Sequence, residues 1–131
     1  MPARHVHPLR VRYAECDAQS VVFNAHYLAY FDIALTELWR AALGSYGAMV
    51  EQGVDVVVAE ATVRFRRAAR FDDILDLEIE VLRLGTTSMQ TRHRVLRDGE
   101  ALVEGDMVHV FVRTDGSGKT PIPDWIRAAL S

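Results

Sequence analysis

The sequence predicts an α+β domain in which one long helix is wrapped by a curled, antiparallel, five-stranded sheet. Three observations carry that expectation. Residues 25–43 contain neither glycine nor proline and are apolar around most of a helical circumference. An ordinary surface helix buries one stripe, so a helix apolar on most sides calls for neighbours on most sides. Behind it come long segments of alternating polarity joined by glycine-bearing turns, which is a strand pattern. The 131 residues, half of them apolar, make about one domain's worth, enough to bury a core without disulfide or metal. A single unit over residues 1–131 is expected.

Taken in order, residues 10–13 alternate and predict a short first strand with Val11 and Tyr13 on one face. An irregular stretch, residues 14–22, leads to the helix, whose polar residues His26, Asp32, Thr36, Glu37 and Arg40 are confined to a narrow stripe. Gly44 stands where a residue of positive φ would end it. Residues 54–67 are rich in β-branched side chains and predict a strand. Residues 73–84 place Leu75, Leu77, Ile79 and Val81 on one face and Asp76, Glu78 and Glu80 on the other. A turn at Gly85-Thr86 leads to residues 87–97, and Asp98-Gly99 then signals a type I′ hairpin into residues 100–113. That last strand is apolar on both faces: Val108, Val110 and Val112 on one, Met107 and Phe111 on the other. One face is therefore expected to pack on another subunit, in a homodimer or homotetramer. Residues 115–119 form a loop, and residues 123–130 a short terminal helix.

Composition removes several function classes. A net charge of −3 supplies no basic footprint for nucleic acid. The single cysteine, Cys16, precludes an intramolecular disulfide and fits a reducing compartment. The first residues show no signal-peptide pattern and no stretch reaches membrane-spanning length, so a cytoplasmic location is expected, with no membrane or nucleic-acid partner. No nucleotide-binding glycine motif is present, and the Gly-Ser-Gly-Lys near residue 118 lacks the spacing of a phosphate loop. The five histidines show no helical pair and no cysteine neighbour, so no metal site is legible; His5 and His7 share only a strand face.

The informative stretch is residues 13–27, where Glu15 and Asp17 precede the start of the apolar helix. A helix N-terminus presents unpaired N–H groups and partial positive charge, a place where an oxyanion can be held beside a working carboxylate. Tyr-x-x-x-Asp running into Val-Val-Phe-x-x-x-Tyr, with Ala34-Leu35-Thr36-Glu37, Ala69-Arg70-Phe71-Asp72-Asp73, Gly85-Thr86-Thr87-Ser88 and Pro123-Asp124-Trp125-Ile126, resembles the hotdog-fold acyl-CoA thioesterases. The nearest resemblance is to the 4-hydroxybenzoyl-CoA thioesterase group and its YbgC-type relatives. It implies hydrolysis of an acyl-CoA to free acid and CoA, with no cofactor beyond the coenzyme A of the substrate. It also implies that Asp17 is the carboxylate that attacks the thioester or activates water, that the Asn24 backbone N–H polarises the carbonyl, and that Tyr13 shapes the site. Phe23, His26 and Tyr27 are expected to line the acyl pocket. Gln19, Ser20 and Asn24 depart from the family pattern, which favours glycine after the carboxylate and histidine at position 24. A related dehydratase of 3-hydroxyacyl thioesters would need His26, and a non-catalytic acyl-thioester binder is the third reading.

Four arginines, Arg64, Arg66, Arg67 and Arg70, fall within seven residues. Arg64 and Arg66 share a strand face and are candidate ligands for CoA phosphates, which guanidinium groups hold bidentately. Glu15 reads as a loop-ordering acid, and Cys16 as a small buried thiol, since no histidine is placed to generate its thiolate.

Overall fold

The structure is a computed structural model describing residues 3–131. The elements run β1 (Arg4–Arg10), a 3₁₀ turn (Tyr13–Glu15), α1 (His26–Leu43), α2 (Gly47–Glu51), β2 (Val54–Phe65), β3 (Ile74–Leu84), β4 (Ser88–Arg97), β5 (Glu100–Arg113) and α3 (Asp124–Leu130). The five strands form one antiparallel sheet in the order β1-β3-β4-β5-β2. Helix α1 lies on one face, and the core sits between its Tyr27, Tyr30, Phe31, Ala34, Leu35, Leu38 and Trp39 and the inward residues of the strands. None of the described residues forms a helix long and apolar enough to cross a membrane.

The meander follows the alternation closely. Leu75, Leu77, Ile79 and Val81 are buried, as are Met107 and Phe111, while Val108, Val110 and Val112 stand half-buried on the opposite face. Asp98 and Gly99 both take positive φ (51° and 82°), the geometry of a type I′ turn. Gly44, at φ 87°, ends α1 with its N–H on the Arg40 carbonyl (3.0 Å).

One expectation needs correction. The first strand is Arg4–Arg10, not residues 10–13. The Glu15 carboxylate captures the Arg12 N–H (2.9 Å) and its guanidinium, which folds residues 13–15 into a 3₁₀ turn. Val11 is therefore buried, whereas Tyr13 is 81% exposed, and the two share no face. The curled sheet stays open on the far side of α1, where Leu28, Ala29, Asp32 and Arg40 are exposed. Across β3 from Leu77 and Ile79, Glu78 is 3% exposed and paired with Arg4 and Arg94. Helix α2 was absent from the sequence reading.

Phe31 of α1 packs directly over Gly105 of β5. A Cβ there would lie 2.5 Å from the Phe31 ring and 2.6 Å from the Thr62 carbonyl. Phe31 in turn stacks on His93 with ring centroids 4.5 Å apart.

Candidate active site

The segment carrying Asp17 is built by a chain of local bonds. Glu15, buried, accepts from the Arg12 N–H, the Arg12 guanidinium and the Tyr30 hydroxyl (2.9 Å). Burial pushes its carboxyl up, but these hydrogen bonds outweigh that and hold it below the usual carboxylate range. Its own carbonyl receives the Phe23 N–H (3.0 Å), so the loop between positions 15 and 23 is closed at its base.

Within that loop the Asp17 N–H donates to Val21 O and the Ser20 N–H to Asp17 O, both at 2.9 Å. One Asp17 carboxylate oxygen accepts the Gln19 N–H (2.8 Å), a short Asx turn that fixes the side chain. Ser20 takes φ 64°, the left-handed conformation that glycine adopts freely and other residues adopt at a cost of about 1 kcal/mol. The turn thus keeps its shape with serine in glycine's place.

The loop is stitched to the segment ahead of β3. Val22 N–H donates to Ala69 O (2.8 Å) and Val21 bridges Arg70. Asp73 accepts the Arg70 N–H and the Arg97 guanidinium, each at 2.8 Å. Burial raises the Asp73 carboxyl, and these donors more than offset it, leaving it low. The Ala-Arg-Phe-Asp-Asp segment is therefore the anchor of the Asp17 loop. Tyr27, buried, accepts the Ala69 N–H on its hydroxyl (3.2 Å).

Two concavities meet at Asp17. One, about 390 Å³, is lined by Asp17, Asn24, Tyr27, Phe65 and Arg66 among others. The other, about 640 Å³, has Asp17 beside Tyr13, Ser20 and Phe71, and there Tyr13 and Phe71 meet edge to face at 6.0 Å. Asn24 lies two residues before α1, and its N–H donates to no other residue among those described. Asn24 and Asp17 line the same hollow.

Of the residues expected at the site, the fold brings together Asp17, Asn24, Tyr27 and Arg66, with Tyr13 on the far side of Asp17. Phe23 and His26 stack edge to face at 6.2 Å and border neither hollow. Arg64 points to the outer sheet face, paired with Asp106 (3.1 Å), while Arg66 pairs with Glu104 (3.3 Å) and Arg67 with Glu100 (2.8 Å). Phe65 and Phe71, both more than half exposed, are lining residues the sequence reading missed. An exposed aromatic beside a polar motif was the available signal.

A long helix carried on one face of a five-stranded antiparallel sheet is the hotdog architecture. The chain belongs to the Thioesterase-like superfamily, whose family model matches residues 11–130, and it is a thioester hydrolase. The acyl-CoA thioester hydrolase YbgC of Escherichia coli O6:H1 is 33% identical over 106 residues, covering 80% of this chain and 79% of that one. The acyl-CoA thioesterase YbgC of Haemophilus influenzae is 33% identical over 124 residues, covering 94% and 91%. Among solved structures, a hypothetical protein from Thermus thermophilus matches with a TM-score of 0.90 at 30% identity over 95% of each chain.

Proposed function

We propose that this chain hydrolyses acyl-CoA thioesters to free acid and CoA, with Asp17 as the working carboxylate and the Asn24 N–H as the oxyanion donor. The observation that supports this most is the shared hollow of Asp17 and Asn24. A thioester carbonyl seated there has the carboxylate on one side and a fixed dipole at its oxygen. Asp17 either takes a proton from water, which then attacks the carbonyl carbon, or attacks that carbon itself to form a mixed anhydride that water opens. In both routes negative charge builds on the carbonyl oxygen, where the Asn24 N–H would stabilise it, and collapse of that oxyanion back to a carbonyl breaks the C–S bond and releases CoA as thiolate. Loss of such an oxyanion donor in other hydrolases costs about 3–4 kcal/mol of barrier. Single-turnover hydrolysis in ¹⁸O-water reports the anhydride route when label enters the Asp17 carboxylate, which happens only when water opens an anhydride at its aspartyl carbon.

Tyr13, Phe71, Tyr27 and Phe65 would contact the acyl group or the pantetheine arm on either side of Asp17. Arg66, at the rim of the hollow, is the better placed of the two phosphate ligands, and Arg64 would join it only by leaving Asp106. Replacing Arg64 and Arg66 by alanine should raise KM for an acyl-CoA severalfold while sparing a short thioester without phosphate. Equal damage to both substrates would remove the phosphate role.

The reading includes a homo-oligomer. The outer edge of β2 carries no strand, Val57 and Val58 are about half exposed, and Phe65 is 56% exposed. Pairing of two such edges would satisfy the β2 backbone and cover these side chains. The assay that tests the function is thiol release from a panel of acyl-CoAs, with hydration of crotonyl-CoA as control. Release dependent on Asp17 supports hydrolysis; hydration without release supports a dehydratase, and binding with neither supports a non-catalytic acyl-thioester binder.

A further inference from the structure

Far from Asp17, the fold gathers three donor groups that are distant in sequence. His5 and His7 lie on the helix-facing side of edge strand β1, paired with the buried Ile79 and Leu77 of β3. A pure core face would carry aliphatic side chains at both positions. Glu37, from the polar stripe of α1, reaches over them, and one ligand atom from each of the three lies within 4.8 Å of the others. His7 Nδ1 and Glu37 Oε2 are 3.9 Å apart. The other Glu37 oxygen is held by Arg40, which leaves Oε2 as the oxygen that faces the imidazoles. All three side chains are half-buried, so the group is partly shielded from water yet open to an entering ion.

We propose that His5, His7 and Glu37 form a binding site for a divalent transition-metal ion, Zn²⁺ by preference, that clamps β1 to α1. Two imidazoles and a carboxylate are the borderline donor set that Zn²⁺ takes, with solvent completing four-coordination. Zn–N and Zn–O bonds near 2.0–2.2 Å put tetrahedral ligands about 3.3 Å apart. The present spacing is wider, up to 4.8 Å, so the side chains have to draw together on an entering ion. Glu37 is eleven positions past His26 on α1 (37 minus 26), about 16 Å along the helix axis. The site is therefore structural, tying the N-terminal edge strand to the central helix, and it is independent of the thioester chemistry proposed above.

The test uses the untagged full-length chain, titrated with ZnCl₂ by calorimetry and followed by thermal unfolding. One Zn²⁺ should bind per chain with micromolar or tighter Kd and raise Tm by roughly 5–10 °C at a hundredfold excess over Kd. Glu37→Gln, and separately His5→Ala with His7→Ala, should weaken binding more than tenfold and abolish the rise in Tm. Both variants should keep the parent's metal-free Tm and its thioester hydrolysis. The Co²⁺ complex of the parent should show d–d bands without a thiolate charge-transfer band. Absence of saturable binding in the parent, parental affinity in the double histidine variant, or a thiolate band pointing to Cys16 would each overturn the site. A mere edge-blunting role for the two histidines predicts the first of these results.

Discussion

Glu15 shows what one side chain does for the loop that carries Asp17. It is buried, ionised, and surrounded by three donors: the Arg12 N–H, the Arg12 guanidinium and the Tyr30 hydroxyl. The Tyr30 hydroxyl is correspondingly pushed far up, by burial first and by the carboxylate it donates to second. Tyr30→Phe removes one donor and leaves the acid buried with two. Stability should fall by about 1–2 kcal/mol in urea unfolding, with a larger loss of activity than of stability if the loop's order is what holds Asp17 in place. Unchanged stability would mean the hydroxyl is dispensable. The sequence showed Glu15 as a loop-ordering acid, but Tyr30 lies 15 positions away on α1, and no local pattern pairs the two. Likewise Ser20 looked like a lost glycine, whereas its backbone adopts the glycine conformation regardless.

At the scale of elements, α1 meets β5 through Phe31, packed over Gly105. Gly105 is the only residue type that fits between Phe31 and the Thr62 carbonyl at these distances. Gly105→Ala should destabilise by about 2–3 kcal/mol, the upper range for overpacking a core, seen as a lower urea midpoint with unchanged m value. A neutral result would show that the helix can lift off the sheet. The meander was legible because alternation with a period of two is a backbone property, and the hairpin because Asp98-Gly99 requires positive φ. The first strand was not: Arg4–Arg10 carries His5, His7 and Pro8 where an apolar face would announce a strand. The arginine run was legible as a strand face, but its partners Asp106, Glu104 and Glu100 come from β5. Cross-strand neutralisation depends on a register that no single strand reveals.

For the molecule as a whole, two buried imidazoles set the response to acid. Thr91 Oγ1 lies 2.9 Å from His93 Nε2 and 3.0 Å from His109 Nε2. The single hydroxyl proton can serve only one of the two rings, and burial keeps both imidazoles neutral. Burial pushes His93 down to about 3, aided by His109, and His109 down to about 4 by burial alone. In the unfolded chain both titrate near 6.5, so below that pH the unfolded state binds protons the folded state refuses. Their contribution to stability is complete above about pH 6.5 and is lost as pH falls toward 4 and then 3. Between pH 7.5 and 5 the loss should be about 3–4 kcal/mol, and the His93 and His109 Cε1–H resonances should not titrate above pH 5. A flat stability over that range, or titration near 6.5, would contradict the buried neutral pair. Glu15, Glu78 and Asp73, all held low, add their own loss only once pH falls below the ordinary carboxylate range.

The apolar half of the composition is distributed over this architecture: a helix bedded on one sheet face, and valines on the other face and the β2 edge that one chain does not cover. What the molecule does with that scaffold turns on one side chain. The most direct measurement is kcat/KM for thiol release from the best acyl-CoA by Asp17→Asn beside the parent. The substitution keeps the Gln19 hydrogen bond and the shape of the turn while removing the base or nucleophile. A loss of about 10²–10⁴-fold, with Tm unchanged within about 2 °C, is the result this account predicts. A folded variant retaining more than a tenth of the parent's kcat/KM would contradict it.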